Sequence, residues 1–321
     1  MEFVFTTHET DAEWDSFVAT SPQGSIFSDS CYLCATGKPY SRFLVKTLLG
    51  EVLAGVAVME DGRAMHTAPY PFTPYQGILF SGAFSAQSDH KRVTNEFRLT
   101  NFIIQGLIDH YGNFSMSLSP SFVDLRPFLW YNYHDITAPR FIISNRYTAM
   151  LDLSKFQLEH YLKSIRTVRR QEYNKSKAKI YETDDIALFI DLYLKTFKRQ
   201  GIDVSEAHLS LIRRICCSSL TKGYGRLSLA SIDDKVASMA LFIYDLRCAY
   251  YLFGANDPDL RNSGASTALM VDNIRVMAEQ GISWLDFVGV NSPNRGDFKL
   301  SFNPHLKAYH EVHLHKDIIK Q

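Results

Sequence analysis

A chain of 321 residues, 46% of them apolar, is long enough to bury one large or two medium cores. Its 34 basic and 34 acidic residues cancel, which excludes a global attraction to nucleic acid or to an anionic membrane surface. The acidic start MEFVFTTHETDAEWDSF lacks a basic n-region and an apolar core, no stretch approaches the roughly 20 apolar residues of a membrane span, and the odd number of cysteines does not suit a secreted disulfide framework. The expectation is a cytoplasmic protein without a membrane span.

In chain order, Asp11 to Thr20 has helical spacing, and Cys31-x-x-Cys34 has neither a second pair nor a suitably placed His, so packing is the expected role of both thiols. Phe43 to Met59 is an apolar hairpin turning at Gly50-Glu51. The loop His66 to Gly77 contains three prolines, which restrict the backbone and stiffen its aromatics. Tyr70, Tyr75 and Gln76 are its candidate groups for stacking on and hydrogen-bonding a sugar or base. Asn95 to His110 reads as a helix. The segment Ala149 to Leu158 leaves a strand and opens the next helix, which divides the chain into 1–150 and 151–321.

Positive charge concentrates in KSIRTVRRQEYNKSKAK, from Lys163 to Lys179, where Arg166, Arg169 and Arg170 are candidates for a diphosphate and a solvated helix face is the plainer reading. Aromatic interleaving is sparse there, which ranks RNA lowest and excludes DNA as an expected partner. Helical segments follow at Ile186 to Arg199 and Glu206 to Leu220. A second hairpin, Arg226 to Phe242, turns at Asp233-Asp234 and aligns with the first without a gap. Each half therefore reads helix, hairpin, strand, helix, strand.

The stretch Gly254 to Phe302 is the most informative. A strand, Tyr250 to Asn256, leads through Arg261-x-x-Gly264-x-Ser266 into an amphipathic helix ended by Gly281. Backbone amides at a helix start carry the positive end of its dipole, and a glycine allows a pyrophosphate to approach. Trp284 to Val290 then reads as a short apolar strand interrupted by Asp286, a candidate general base if burial raises its pKa. The alternative is a carboxylate that braces the site. The loop Asn291 to Lys299 follows, with Arg295 and Lys299 as candidate phosphate ligands. Near the end, HEVHLH at 310–315 resembles a metal site only superficially, because strand alternation puts Glu311, His313 and His315 on one face and His310 on the other. No metal is expected.

The spacing Arg261-x-x-Gly264-x-Ser266 resembles the [Q/R]-x-x-G-x-[G/A] coenzyme A loop of the GNAT acyltransferase superfamily, with Ser in place of the last small residue. The wider wording, YLFGAN and LDFVGVNSPNRGDFKLSFNP with a final Tyr-bearing strand, is similar to the second domain of FemAB-like tandem GNAT proteins, and EWDSFVATSPQGSIFSDS is a weaker N-terminal match. The resemblance implies an α/β fold of two tandem GNAT-like domains, each a mixed, mostly antiparallel sheet flanked by helices. It implies acyl-CoA as co-substrate, with no prosthetic group. Phe253 and Gly254 become the oxyanion contact, Asn291 a contact to the pantetheine arm or acceptor, and Arg261, Gly264, Ser266, Arg295 and Lys299 the donor ligands.

No matching loop precedes the first-half helix, so the first half is expected to serve as platform and acceptor contact. The implied activity is N-acyl transfer to the amine of a nucleotide-linked amino sugar, dTDP-linked in one version, for surface polysaccharides such as O-antigen. The rival readings are FemAB-type aminoacyl transfer from charged tRNA and a noncatalytic binding protein. A homodimer is left open.

Overall fold

The computed structural model describes residues 3–7, 10–61, 66–67, 69–135 and 137–314. Two compact units emerge. The first comprises residues up to Arg146 together with Ala308–Leu314, and the second Tyr147–Lys307. The sequence reading placed a single boundary after Met150; the chain instead leaves the first unit within one strand and returns to it within another, where no change of composition marks the crossing.

In the first unit, β1 (Phe3–Thr7), β2 (Tyr40–Thr47), β3 (Val52–Asp61), β4 (His66–Thr67) and β5 (Ile78–Phe80) form an antiparallel sheet with β4 and β5 both on β3. Helices α1 (Asp11–Thr20), α2 (Ser30–Ala35), α3 (Gly82–Ser85), α4 (Asp89–Tyr111) and α5 (Arg126–Leu129) flank it, and β6 (Phe114–Ser117) pairs with the chain's last strand at Glu311–Leu314. Helix α4 buries Leu99, Ile103, Ile104, Leu107, Ile108 and Tyr111, the i, i+4 stripe that a sheet-packed helix needs. It stops at Gly112, whose φ of 72° suits glycine and whose amide donates to Ile108 O at 2.8 Å. The core joins this stripe to Phe43, Val45, Val56, Phe114 and Phe128.

The second unit begins in β7 (Ile142–Asp152) and continues through α6 (Leu158–Ser164), α7 (Thr167–Lys175), β8 (Lys179–Glu182), α8 (Ile186–Arg199), α9 (Glu206–Thr221), β9 (Gly225–Ile232), β10 (Lys235–Tyr244), β11 (Cys248–Asn256), α10 (Ala265–Glu279), β12 (Trp284–Asp286) and α11 (Pro293–Leu300), reaching the start of β13 (His305–Leu314). Strand β12 lies between β7, antiparallel, and β11, parallel, and β11, β10, β9 and β8 follow in antiparallel order. Helix α10 supplies Leu269, Met270, Val271, Ile274 and Met277 to a core with Phe242, Leu285, Phe287 and Phe302.

Both expected hairpins form, but not with matching turns. Four residues join β2 to β3, whereas Asp233 and Asp234 alone join β9 to β10, with φ of 48° and 61° in the left-handed region typical of two-residue turns. No helix among the described residues is long and apolar enough to cross a membrane.

Candidate functional site

Strand β11 pairs with β12 only through Cys248–Tyr250, opposite Trp284–Asp286. The expected strand to Val290 stops at Asp286 because Val288 and Gly289 take φ of 48° and 66° and turn the chain away. A β-branched residue in that region is strained. Val288 is held there by its amide donating to Asp286 Oδ1 at 2.7 Å. Among the described residues, no strand pairs with 251–256 of β11 on that edge.

On its paired edge, β11 carries a bulge: consecutive Leu241 and Phe242 face Phe253 and Tyr251, leaving Leu252 unmatched. Residues two apart on a regular strand point to one face; the extra residue sends these two to opposite faces. Tyr251 packs on Phe242 at 5.2 Å between ring centres, in the α10 core, whereas buried Phe253 packs on Phe189 and Tyr193 of α8. A Cβ on Gly254 would stand 1.9 Å from the Tyr251 hydroxyl, so this position must be glycine for Tyr251 to lie where it does. Burial pushes the Tyr251 phenol up to about 12, which keeps it protonated near neutrality.

Lys299 reaches this place from α11. The Asn291 to Lys299 stretch, expected as a loop, is helical from Pro293, whose fixed φ and missing N–H suit a first helical turn. The Lys299 ammonium donates to Val288 O at 2.6 Å and Gly289 O at 3.0 Å, and lies 5.6 Å from the centre of the Tyr251 ring. Burial pulls its pKa down to about 8; the Asp286 carboxylate opposes that shift and Arg295 adds to it. Lys299 is therefore enclosed and partnered rather than extended into solvent as a phosphate ligand.

Asp286 is 1% exposed, and its Oδ1 accepts from the Thr148 hydroxyl as well as from Val288 N. Its geometry is that of a brace. Asn291 binds the main chain of Tyr147 through both ends of its amide, accepting from Tyr147 N at 2.8 Å and donating to Tyr147 O at 3.0 Å. That pairing takes up the groups that the expected ligand contact would use.

Arg295, one turn before Lys299 on α11, lies over the Phe197 ring at 5.2 Å, and Phe197 stacks on Tyr193 at 4.4 Å. Helices α8 and α11 thus meet beside the open edge of β11.

The turn into α10 has Gly264 at φ 76°, and a Cβ there would approach Glu172 O to 2.7 Å. The close neighbour is α7. Glu172 Oε2 accepts from Thr267 Oγ1 at 2.5 Å and from Arg169 Nη1 at 2.6 Å. Arg169 also donates to Ser301 Oγ at 2.8 Å and lies over Phe298, while Arg166 pairs with Asp297 at 2.7 Å. Two of the three candidate diphosphate arginines therefore fasten α7 to α10 and α11; Arg170 is half-buried. The backbone amides of Ser266 and Thr267 have no acceptor among the described residues, and Arg261 is exposed beside them. The turn thus presents two backbone amides without an acceptor, with a carboxylate next to them.

In the first unit, Tyr75 and Gln76 are 2% and 4% exposed, so they are core groups and not a stacking surface. Tyr75 sits edge-on to Phe27 and Tyr309. Tyr70 is half-buried, with the Lys38 ammonium 5.8 Å from its ring centre. Of HEVHLH, Glu311 pairs with Arg146 at 3.0 Å and His310 meets Asn145 at 3.0 Å, while His315 lies outside the described residues. No group of three or more His, Cys, Asp or Glu among the described residues is arranged to hold a metal.

Residues 162–300 match the model of an acetyltransferase (GNAT) domain. No curated protein matches the sequence. Among solved structures, FemX has a TM-score of 0.71 at 14% identity, covering 97% of both chains. A tandem GNAT protein from the clavulanic acid biosynthesis pathway has a TM-score of 0.55 at 11% identity, covering 98% of both chains. The C-terminal domain of a putative lysylphosphatidylglycerol synthetase from Agrobacterium fabrum has a TM-score of 0.53 at 11% identity, over 94% of this chain and 90% of that one. The matched region spans the open strand, the α10 turn and α11, and the fold of the whole chain is that of tandem GNAT proteins. Residues 162–300 are thus similar to acetyltransferase (GNAT) domains, and the whole chain shares the fold of FemX and of the tandem GNAT protein.

Proposed function

We propose that this protein transfers an acyl group from acyl-CoA to the amine of a nucleotide-linked amino sugar, with the donor on the second unit. The observation that carries this reading is the unpaired edge of β11 at 251–256, flanked by the Lys299 ammonium and the Tyr251 hydroxyl. An extended pantetheine arm fits such an edge as an added strand would. The pyrophosphate would take the amides of Ser266 and Thr267 with Arg261, at the positive end of α10.

In the reaction, the amine lone pair attacks the thioester carbon and the C–S bond breaks. Lys299 has three N–H groups, two of them on carbonyls; the third is free to meet the oxyanion, alongside the main chain of Phe253 and Gly254. Tyr251, neutral at pH 7, gives its proton to the departing thiolate and recovers one from the new amide nitrogen through solvent. Asp286 acts through Lys299 and Val288 as a positioning residue, which replaces its expected role as base.

A second reading, aminoacyl transfer from tRNA of the FemAB type, is favoured by one feature: Glu172 places a negative charge beside the turn where a pyrophosphate would bind. The test is a turnover panel of thymidine- and uridine-diphosphate amino sugars with short and medium acyl-CoAs, read by mass spectrometry. An N-acylated product supports the first reading. No product across the panel, with aminoacyl transfer from charged tRNA, would replace it by the second.

A further inference from the structure

Four arginines of this unit are bound to carboxylates: Arg166 to Asp297, Arg169 to Glu172, Arg226 to Glu182 and Arg275 to Asp272. Arg295 is exposed and has no carboxylate partner among the described residues, yet its guanidinium is held by Phe197. Phe197 is itself fixed by Tyr193, whose ring lies edge-on to Phe253 at 6.4 Å. An arginine fixed by stacking keeps its donors in a rigid fork while leaving its charge uncompensated, the arrangement suited to a phosphate. Its place is on the α8 face of β11, because the bulge at Leu252 turns Phe253 that way and Tyr251 toward α10. The α10 turn that would hold the donor's pyrophosphate belongs to the opposite face.

We infer that Arg295 is an anion anchor for the acceptor, binding a phosphate of its diphosphate group one helical turn from the reacting carbonyl. This assigns Arg295 to the acceptor and not to coenzyme A, and it rests on the acyl-transfer reading above. It also supplies a selection rule: acceptors without a negative group near the amine-bearing sugar bind poorly.

The experiment is steady-state kinetics of wild type, Arg295→Ala and Arg295→Lys, with the nucleotide-linked amino sugar and with the matching amino sugar methyl glycoside, which lacks the diphosphate. Arg295→Ala is expected to raise KM for the nucleotide-linked acceptor about tenfold or more, leave KM for acyl-CoA within about twofold, and leave the glycoside unaffected. Arg295→Lys, which keeps the charge and loses the fork, should fall between. A rise in KM for acyl-CoA instead would transfer the anchor to the donor and overturn the assignment, as would equal losses with both acceptors. If wild type turns over no acceptor, the acyl-transfer reading fails separately, and calorimetry with inorganic pyrophosphate in the Arg261→Ala background, which weakens the α10 turn as a competing site, decides the anchor: binding abolished by adding Arg295→Ala sustains it, and binding that is absent or unchanged ends it.

Discussion

Glu172 and Thr267 share a hydrogen bond of 2.5 Å, from the threonine hydroxyl to the glutamate carboxylate, across the first turn of α10. Such a carboxylate is attracted by the same dipole that would attract a pyrophosphate, and at close range it repels one. Replacing Glu172 with Gln keeps an acceptor for Thr267 and Arg169 and removes the charge. CoA affinity should therefore rise several-fold at low salt, with the gain shrinking as ionic strength increases. Calorimetry at two salt concentrations measures it; unchanged or weaker binding at low salt would mean that no phosphate approaches this turn.

Lys299 makes a pH prediction with a definite sign. Its folded pKa of about 8 lies below its usual 10.5, so the ammonium proposed to meet the oxyanion is lost as pH rises through 8. Turnover should decline on that alkaline limb, and Lys299→Met should lower kcat by about 10²–10³ and abolish the limb. Because the unfolded chain binds more protons between pH 8 and 10.5, wild-type stability relative to Lys299→Met should rise across that window. Activity that climbs through pH 8 in wild type alone would make Lys299 a base instead.

Gly254 and Tyr251 form a steric pair. Gly254→Ala puts a methyl into the space of the tyrosine hydroxyl, at a cost on the order of 1–3 kcal/mol, and should displace that hydroxyl from the open edge. Tyr251→Phe removes the closest obstruction, leaving the ring carbon at 2.9 Å, along with the proposed proton donor. The double variant should then be more stable than Gly254→Ala alone while remaining as slow as Tyr251→Phe, a coupling that thermal melts and kcat report together.

Asn291→Ala should remove two hydrogen bonds to the Tyr147 main chain at an exposed position, costing about 1 kcal/mol of stability. KM for acyl-CoA should change little. A large increase in that KM with no loss of stability would restore Asn291 as a donor ligand.

The hairpins and the amphipathic helices were legible because apolar period and turn residues are local signals. The oddities of the site were not. Arg166 and Arg169 read as a basic run because their counter-ions, Asp297 and Glu172 with Ser301 beside them, come mostly from far along the chain or from the next turn of the same helix. Tyr75 and Gln76 sit in a proline-stiffened loop, but stiffness says nothing about which side faces the core. The strand at Trp284 ends early because Val288 is held at positive φ by Asp286, a conformation that valine's own preference argues against. The sequence assigns no role to Tyr251 or Phe197 beyond membership of a strand and a helix. A doubled Tyr before a glycine in YYLFGAN was the local cue for the first; nothing local marks the second.

The most direct measurement is calorimetric titration of acetyl-CoA and longer acyl-CoAs into wild type and Arg261→Ala. Binding by wild type that weakens about tenfold in the variant is the expected result, with the donor held at the α10 turn. No binding by wild type, or equal binding by both proteins, would contradict a coenzyme A donor at that turn.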